Sequence, residues 1–260
     1  MLINMARQAS QVFFLLLTFS IAAAQAQPAG RAVVNQPIQW FSTTANFKLN
    51  KTLTAIAEGQ FRYAGSLDPM QYQLRTALEI RLNSHFSIVP LGYVWTENFR
   101  YGKQPMAFKN NEHRIWEQIS YKHELGRLKL DHRLRLEQRF IQAHSRTAEG
   151  AVVDDGFSNR QNRLRYRFVT KVPLGRNKNI DARTLFAVAY DEVFYSWGKT
   201  VTFDEPDQNR LFGGLGYQVR KPLSVQAGFF YQMLIKANGA QQENNLGFQI
   251  ALNYTVDLTR

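Results

Sequence analysis

Arginine recurs at alternate positions along two segments of the sequence, 128–140 and 163–172. The arginines of these two rows are Arg133, Arg135, Arg139, Arg163, Arg165 and Arg167. Successive side chains of an extended strand point to opposite faces, so each row lies on one face of its strand. Guanidinium groups bind carboxylates and phosphates through paired hydrogen bonds. The rows therefore predict either an ion-pair network or a surface that attracts anions, and both interpretations remain open.

Acidic residues share the phase of these arginines on their own segments. Asp131 and Glu137 alternate with the arginines of 128–140, and Glu58, Glu79 and Glu112 occupy the equivalent phase elsewhere. Antiparallel pairing of consecutive segments would make the two arginine rows neighbours. We predict that one charged face includes Arg75, Arg81, Arg133, Arg135, Glu137, Arg139, Arg163, Arg165 and Arg167.

Histidine supplies the strongest argument for an enzyme, and it is a weak one. His132 falls on the apolar phase of its segment, where a lipid-modifying enzyme would need it. A serine hydrolase requires a hydroxyl activated by an imidazole that a third group orients. The adjoining segment 159–172 contains no serine and only two hydroxyls, Thr170 and Tyr166, and the chain has no G-x-S-x-G motif. The residues thus favour a protein without catalytic activity.

The sequence indicates no cofactor and no metal centre. It contains no cysteine, which excludes disulfides and thiolate ligands. The acidic runs 204–207 and 154–155 could bind Ca²⁺ weakly, but solvated loop carboxylates are the simpler interpretation. Gly213, Gly214 and Gly216 lie within a strand pattern with no helix after them, so we predict packing rather than a nucleotide loop.

Long alternating segments must position these residues. In 128–140, Leu128, Leu130, Leu134 and Leu136 oppose the charged phase, which a helix would mix on every face. The segments with this pattern are 38–49, 52–63, 72–82, 86–99, 110–123, 128–140, 163–172, 180–195, 207–220, 223–235 and 245–258. Together they predict an all-β protein.

Segment length separates a membrane barrel from a soluble one. Most of the segments run eleven to sixteen residues, whereas ordinary strands have about five or six and membrane-spanning strands about nine to eleven. An Arg or Lys that faces the bilayer centre costs roughly 2–4 kcal/mol, so an outward charged phase of 128–140 would cost on the order of 10 kcal/mol. The charges are therefore expected to line the lumen.

The connectors support the same architecture, because short and long ones alternate. Short connectors carry turn residues, as at 50–51, 83–85 and 221–222, and longer ones include 64–71 and 143–158. We predict a transmembrane antiparallel up-and-down β-barrel of about twelve strands, within 10–14, with short periplasmic turns and longer extracellular loops. Eleven segments are visible, so we expect residues 28–37 to supply a further strand or one connector to be misplaced.

Aromatic residues gather near the segment ends, as interfacial girdles do. These residues are Trp40, Phe41, Phe61, Tyr63, Tyr93, Trp95, Phe99, Tyr101, Tyr190 and Phe194.

The N-terminus predicts export. Arg7 precedes an apolar run over 12–24, which is too short to span a bilayer, and an A-x-A site follows at 24–26. We predict a cleaved signal peptide over 1–26, a barrel domain over 27–260 and a location in the bacterial outer membrane. The formal charge of +12 then indicates lipopolysaccharide, anionic solutes or an arginine-lined lumen, and not nucleic acid. The expected partners are outer-membrane lipids, lipopolysaccharide, the barrel-assembly machinery and an unknown small solute.

Several short motifs resemble those of one family. They are Ile38-Gln39-Trp40, Glu112-His113-Arg114-Ile115-Trp116, the Arg133-x-Arg135-x-Glu137-x-Arg139 row, Asn162-Arg163-Leu164-Arg165-Tyr166-Arg167, and Asn209-Arg210 leading into Gly213-Gly214-Leu215-Gly216-Tyr217-Gln218. In these motifs the chain resembles the domain of unknown function 2490, a family of predicted outer-membrane barrels of Gram-negative bacteria, common in the Bacteroidetes. The resemblance covers nearly all of 38–258, and it implies a fold and a location but no activity.

Three hypotheses for function follow. The first is a non-enzymatic outer-membrane barrel that is structural or gives limited passage to small solutes, including anions, through an arginine-lined lumen. The second is an outer-membrane lipid-modifying enzyme that uses His132 or a loop residue. The third is a soluble periplasmic or secreted β-barrel that binds a ligand and turns its apolar phase inward.

Overall fold

The computed structural model describes residues 30–102 and 108–259. Thirteen strands lie in these residues: β1 (Ala32–Lys48), β2 (Leu53–Ala64), β3 (Asp68–Arg81), β4 (Phe86–Asn98), β5 (Asn110–Leu125), β6 (Leu128–Ile141), β7 (His144–Arg146), β8 (Val152–Asp154), β9 (Asn159–Pro173), β10 (Thr184–Gly198), β11 (Gln208–Arg220), β12 (Leu223–Ile235) and β13 (Gln241–Asp257). The predicted signal peptide, 1–26, lies outside the described residues. In the part that is described, no helix is long and apolar enough to cross a membrane.

Eleven of the described strands form one closed barrel. Its order is β1-β13-β12-β11-β10-β9-β6-β5-β4-β3-β2, and β2 pairs again with β1. The two short strands β7 and β8 form a separate hairpin within the connection between β6 and β9. Strands of the barrel pair antiparallel with their neighbours along the chain, and β1 and β13 close the barrel in parallel. The prediction of an all-β barrel of about twelve strands is confirmed.

The closing seam explains the strand count. Of the two explanations for the strand count, a further strand within 28–37 is wrong, because residues 32–37 extend β1 at its N-terminal end. An odd number of strands that alternate in direction leaves the first and last running the same way. The β1–β13 register runs without a shift from Ala32↔Gln241 to Lys48↔Asp257. The expectation that every pair is antiparallel is therefore wrong at this seam alone.

The connections lie at two different ends of the barrel. At one end, here called the short-turn end, the connections are 49–52, 82–85, 126–127, 174–183 and 221–222. At the other, the long-loop end, they are 65–67, 99–109, 142–158, 199–207 and 236–240. The predicted long connector at 64–71 is wrong, because β2 and β3 extend into it and leave a tight turn in which Gly65 and Leu67 have positive φ.

Asparagine side chains shape two of the short turns. The Asn50 side-chain oxygen accepts hydrogen bonds from the backbone N–H groups of Thr52 (2.9 Å) and Leu53 (2.8 Å). Asn83 accepts in the same way from His85 and Phe86, both at 2.8 Å. These side chains replace backbone partners that a tight turn lacks, so they fix where each strand ends.

The two faces of the barrel differ in polarity as the alternation predicts. Large apolar side chains lie exposed on the outer face, among them Phe229 at 67% and Leu246 at 64% exposure. The inner face carries the buried charges and also an aromatic cluster that includes Trp40, Phe186 and Phe230. The expectation that Trp40, Tyr101, Tyr190 and Phe194 belong to an interfacial girdle is therefore wrong, because their rings lie inside the barrel. Adjacent residues point to opposite faces, so Phe41 lies outside and Trp40 inside.

Glycine leaves space for the large rings of the inner face. A Cβ atom at Gly216 would overlap the ring of Phe186, and one at Gly92 would overlap the indole of Trp116. The glycine-rich stretch of β11 thus makes room for neighbouring aromatic rings inside the barrel, as predicted.

Candidate functional site

Three carboxylates are buried at the middle of the lumen. Glu112 on β5, Glu137 on β6 and Glu192 on β10 are each no more than 2% exposed. They lie on the inward phase of their strands, opposite the apolar positions that face outward. A buried carboxylate needs charged or hydrogen-bonding partners to offset the loss of hydration, and arginines on four strands provide them.

Glu192 links three neighbouring strands to β10. Its Oε1 accepts hydrogen bonds from Arg165 Nε at 3.1 Å and Nη2 at 2.7 Å, and also from Arg133 Nη2. Its Oε2 accepts one from Arg210 Nη1 at 3.2 Å. Arg133 lies on β6, Arg165 on β9 and Arg210 on β11. Together with its own strand β10, this one carboxylate therefore links four strands of the wall.

Glu137 binds arginines in the same way, next to the Glu192 cluster. Arg163 donates to Glu137 Oε2 from Nε at 2.9 Å and from Nη2, and Arg165 Nη1 donates to Oε1 at 2.5 Å. Arg135 Nη1 lies 3.8 Å from the same oxygen Oε1. Arg165 therefore bridges Glu137 and Glu192, and the two clusters form one network.

Glu112 forms a separate cluster on the side of the long-loop end. Arg114 donates to its two oxygens at 2.6 and 3.0 Å, and Arg139 donates to the same oxygens at 2.5 and 3.2 Å. Such paired hydrogen bonds fix the plane of each guanidinium group. The Glu137–Glu192 network and the adjacent Glu112 cluster are together called the central charge layer. It consists of Glu112, Glu137, Glu192, Arg114, Arg133, Arg135, Arg139, Arg163, Arg165 and Arg210.

Aromatic faces hold the arginines of this layer from the side. The Arg135 guanidinium lies 3.8 Å from the ring centre of Trp116, and that of Arg210 lies 4.4 Å from Trp40. Arg165 lies 4.6 Å from Phe194. A cation over an aromatic face gains electrostatic attraction that is largest where water is excluded. The aromatic inner wall thus restricts the arginines that the carboxylates bind.

The central charge layer divides the lumen into two cavities. A cavity of about 1000 Å³ lies towards the short-turn end, and one of about 300 Å³ lies towards the long-loop end. Arg62, Arg75, Arg165 and Arg210 line both. These four side chains therefore mark the boundary that a solute would have to cross.

Loop residues cover the smaller cavity. Tyr101 and Phe203 line it from the connections at the long-loop end. The Tyr101 hydroxyl donates to the two oxygens of Glu243 at 3.3 and 3.1 Å, and Lys236 Nζ lies 2.6 Å from the same carboxylate. Burial and the adjacent Glu243 carboxylate raise the pKa of the Tyr101 hydroxyl, so this contact persists as a neutral donor bound to an anion.

The predicted lumen residues divide by position. Arg133, Arg135, Glu137, Arg139, Arg163 and Arg165 belong to the central charge layer, while Arg75 and Arg167 line the larger cavity. Arg75 binds Glu58 at 2.5 Å. Arg81 is exposed at the end of β3 and borders neither cavity, because the inward phase ends where the strand leaves the barrel wall.

Sequence reasoning missed Glu192 and Arg210. Both sit on strands whose other buried inward residues are uncharged, as with Phe194 on β10 and Phe212 on β11. A single charge among aromatic residues does not stand out as an alternating row. The available signal was positional, because Glu192 lies directly opposite Arg167 on β9 and Arg210 on β11.

The residues considered for other chemistry have structural partners. His132 lies on the outer face, where its Nδ1 hydrogen-bonds the hydroxyl of Tyr166 at 2.8 Å and its ring stacks 5.3 Å from His123. Asp154 is bound by Gln142, and Glu205 by Arg31. Within residues 30–102 and 108–259, no group of three or more His, Asp or Glu side chains could hold a metal ion.

These features define a closed β-barrel with an apolar outer face and an arginine-rich charged lumen. The family described as Protein of unknown function (DUF2490) matches residues 39–244. The chain belongs to this family, as its motifs predicted.

Comparisons with other proteins add little to this assignment. The NanC porin, in a rhombohedral crystal form, is similar in structure, with a TM-score of 0.48 and 9% sequence identity. The match covers 84% of this chain and 97% of the porin chain. No curated protein sequence matches the chain.

Proposed function

We propose that this protein is a non-enzymatic barrel of the bacterial outer membrane whose lumen is divided by the central charge layer. One observation carries the proposal: the barrel wall is polar inside and apolar outside. In a soluble barrel the apolar phase fills the core. Here the buried positions hold Glu112, Glu137 and Glu192, while Leu74, Leu134 and Leu246 are 45–64% exposed on the outer face.

The outer face is too apolar for water. Soluble monomers rarely expose contiguous apolar patches larger than a few hundred Å², whereas exposed Leu, Phe, Ile and Tyr side chains recur on strands around this barrel. Near the long-loop end, Tyr72 packs against Phe61 (5.3 Å between ring centres) and Phe99 (4.8 Å). This aromatic band fits a membrane interface, where amphipathic rings are enriched.

The orientation follows from the connections. Outer-membrane barrels carry tight turns on the periplasmic side and longer loops outside the cell, so we place the short-turn end in the periplasm. The predicted signal peptide would deliver the chain to that compartment, and the assembly machinery would insert it. The outer face would then contact outer-membrane lipids, and the loops would contact lipopolysaccharide.

Passage through this lumen requires a change in the central charge layer. Glu137 on β6 and Glu192 on β10 both bind Arg165 of the intervening strand β9. Glu192 also binds Arg210 on β11. A solute that crosses must separate some of these pairs or pass between them. We therefore propose that the resting barrel conducts poorly and that the layer serves chiefly to lock the strand register.

Membrane fractionation with heat-modifiability tests the location. The full-length protein is expressed, outer membranes are separated, and boiled and unboiled samples are compared by electrophoresis. We expect recovery in the outer membrane and faster migration of the unboiled sample. Recovery in the soluble periplasmic fraction would contradict the proposal and favour a soluble binding protein.

A second candidate function is selective passage of anions. The boundary residues favour it, because Arg62, Arg75, Arg165 and Arg210 line both cavities and are all cationic. Planar-bilayer recordings of the purified barrel distinguish the two. Small anion-selective channels would support passage, and silence at every voltage would leave the structural role.

A further inference from the structure

The larger cavity, here called the vestibule, has one wall that is cationic. It extends from the central charge layer to the turn residues Ser84 and His85 at the short-turn end. Across the β6–β9 pair, Lys129 lies directly opposite Lys171, and Arg133 lies directly opposite Arg167. The rung between them pairs Asp131 with Val169. Like charges directly opposite each other destabilise a sheet, so this arrangement works against folding.

Carboxylates of the chain form ion pairs with two cations of this wall, Lys129 and Arg133, but not with the other two. Lys129 binds Glu124 at 2.7 Å, Arg133 binds Glu192, and Asp131 lies 3.7 Å from Lys122. Arg167 and Lys171 form no ion pair with a carboxylate anywhere in residues 30–102 and 108–259. The Nε atom of Arg167 is buried and has no hydrogen-bond partner, and neither has Nε of Arg133.

The part of the facing wall that β1, β12 and β13 form is neutral, and beside it Glu58 on β2 binds Arg75 on β3. Its inward positions on β1, β12 and β13 carry hydroxyls and amides, namely Ser42, Thr44, Gln226, Gln249 and Asn253. These groups donate and accept hydrogen bonds but add no charge. The vestibule thus has a cationic side and a neutral polar side. Glu192 lies directly opposite Arg167, and Asp131 occupies the rung next to Lys171. These carboxylates form their ion pairs with other cations, so Arg167 and Lys171 have no direct ion-pair partner in the described residues.

We propose that the vestibule binds a small, soluble, multiply charged anion of the phosphate type on this cationic wall. Directly opposite side chains have Cβ atoms about 4.5–5.5 Å apart, so Arg133 and Arg167 can present guanidinium groups to one anion. Lys171 follows two rungs along on the same face and adds a third cation. Phosphate oxygens accept the bidentate hydrogen bonds that a guanidinium group offers. The bound anion supplies the direct ion-pair partner that Arg167 and Lys171 lack in the described residues.

Titration calorimetry with inorganic pyrophosphate tests the site. The probe is added to the purified barrel in neutral detergent at constant ionic strength. We expect saturable binding of one pyrophosphate by the wild-type barrel, and at least a tenfold loss of affinity in the double variant Arg167→Gln/Lys171→Gln. The matched control is the double variant Lys109→Gln/Arg146→Gln, which removes the same charge from loops at the other end and is expected to leave the affinity unchanged.

Three results would overturn the inference: no binding by the wild type at millimolar pyrophosphate, unchanged binding by the vestibule variant, or an equal loss in the loop control. A titration repeated with added phosphatidylglycerol separates the sources of phosphate. Unchanged pyrophosphate affinity supports a soluble ligand in the lumen, whereas displacement by the lipid would assign the cations to a headgroup. Melting without ligand guards against misfolding, because removal of Arg167 and Lys171 relieves repulsion and must not lower the melting temperature.

The inference rests on the proposed function only for the side of the membrane that the vestibule faces. The purified protein reports binding whether or not it comes from the outer membrane. Failure of fractionation and failure of titration are therefore separate results.

Discussion

The central charge layer and the vestibule contain the same residue types but differ in how the charges are satisfied. In the layer, Glu137 and Glu192 are no more than 2% exposed and each binds two or more arginines. In the vestibule, Arg167 and Lys171 lie on the same strand as Arg165 but have no carboxylate partner in the described residues. The same alternating row thus stabilises the barrel at one height and leaves charge available for a ligand at another.

Loss of a layer carboxylate gives the largest expected effect. In Glu192→Gln, three arginines from β6, β9 and β11 lose their common negative charge and one of its two accepting oxygens, and they remain buried. Breaking a buried ion pair from one side costs about 3–5 kcal/mol, so we expect a loss of unfolding free energy of that order. Urea unfolding in lipid vesicles measures it, with tryptophan fluorescence as the signal because Trp40 and Trp116 contact arginines of the layer.

The matched control for this substitution is Glu124→Gln. Glu124 also binds a cation, Lys129, but its side chain is 64% exposed. Exposed ion pairs contribute about 0–1 kcal/mol, so the control should unfold close to the wild type. Equal losses of unfolding free energy in the two variants would show that burial does not decide how much each of these ion pairs contributes to stability.

Coupling between Arg210 and Glu192 within the central charge layer gives the next largest expected effect. Arg210→Gln removes a partner of Glu192 and should destabilise the wild-type barrel. In the Glu192→Gln background the same substitution removes a cation that has already lost the negative charge of its partner, so its cost should be smaller. Side chains that share one network couple by about 0.5–3 kcal/mol. A double-mutant cycle measures this value, and strict additivity would show that the two residues act independently.

Sequence periodicity predicted the barrel because each face of a long strand has one kind of environment. The row of Arg133, Arg135 and Glu137 gave the strand, its phase and its neighbour β9. The same periodicity could not show which charges pair, because ion pairs such as Arg133–Glu192 depend on side-chain reach across two strands. Nor could it give the parallel seam, which depends on how the two ends of the chain meet.

The vestibule should respond to substitution with the opposite sign. Arg167→Gln removes a cation that faces Arg133 directly, so the unfolding free energy should stay the same or rise by about 0.5 kcal/mol. Arg133→Gln on the same rung removes a hydrogen bond to Glu192 and should cost about 1.5–3 kcal/mol. Melting of the two variants side by side measures the contrast. A clear loss in Arg167→Gln would mean that Arg167 is a structural residue.

Salt gives the smallest expected effect, and it tests whether the exposed charges of the vestibule or the buried charges of the central charge layer carry the repulsion. Exposed charges are screened within a Debye length, which falls from about 30 Å at 0.01 M to about 10 Å at 0.1 M, and buried pairs are screened much less. Added sodium chloride should therefore raise the melting temperature of the wild type slightly, chiefly by relieving repulsion between Lys129 and Lys171, which lie nearer the open end of the vestibule than the buried Arg133. The increment should persist in Glu192→Gln, because the layer is buried, and shrink in Arg167→Gln/Lys171→Gln. A salt response that disappears with Glu192 instead would place the unscreened repulsion in the central charge layer and reverse the roles assigned to the two regions.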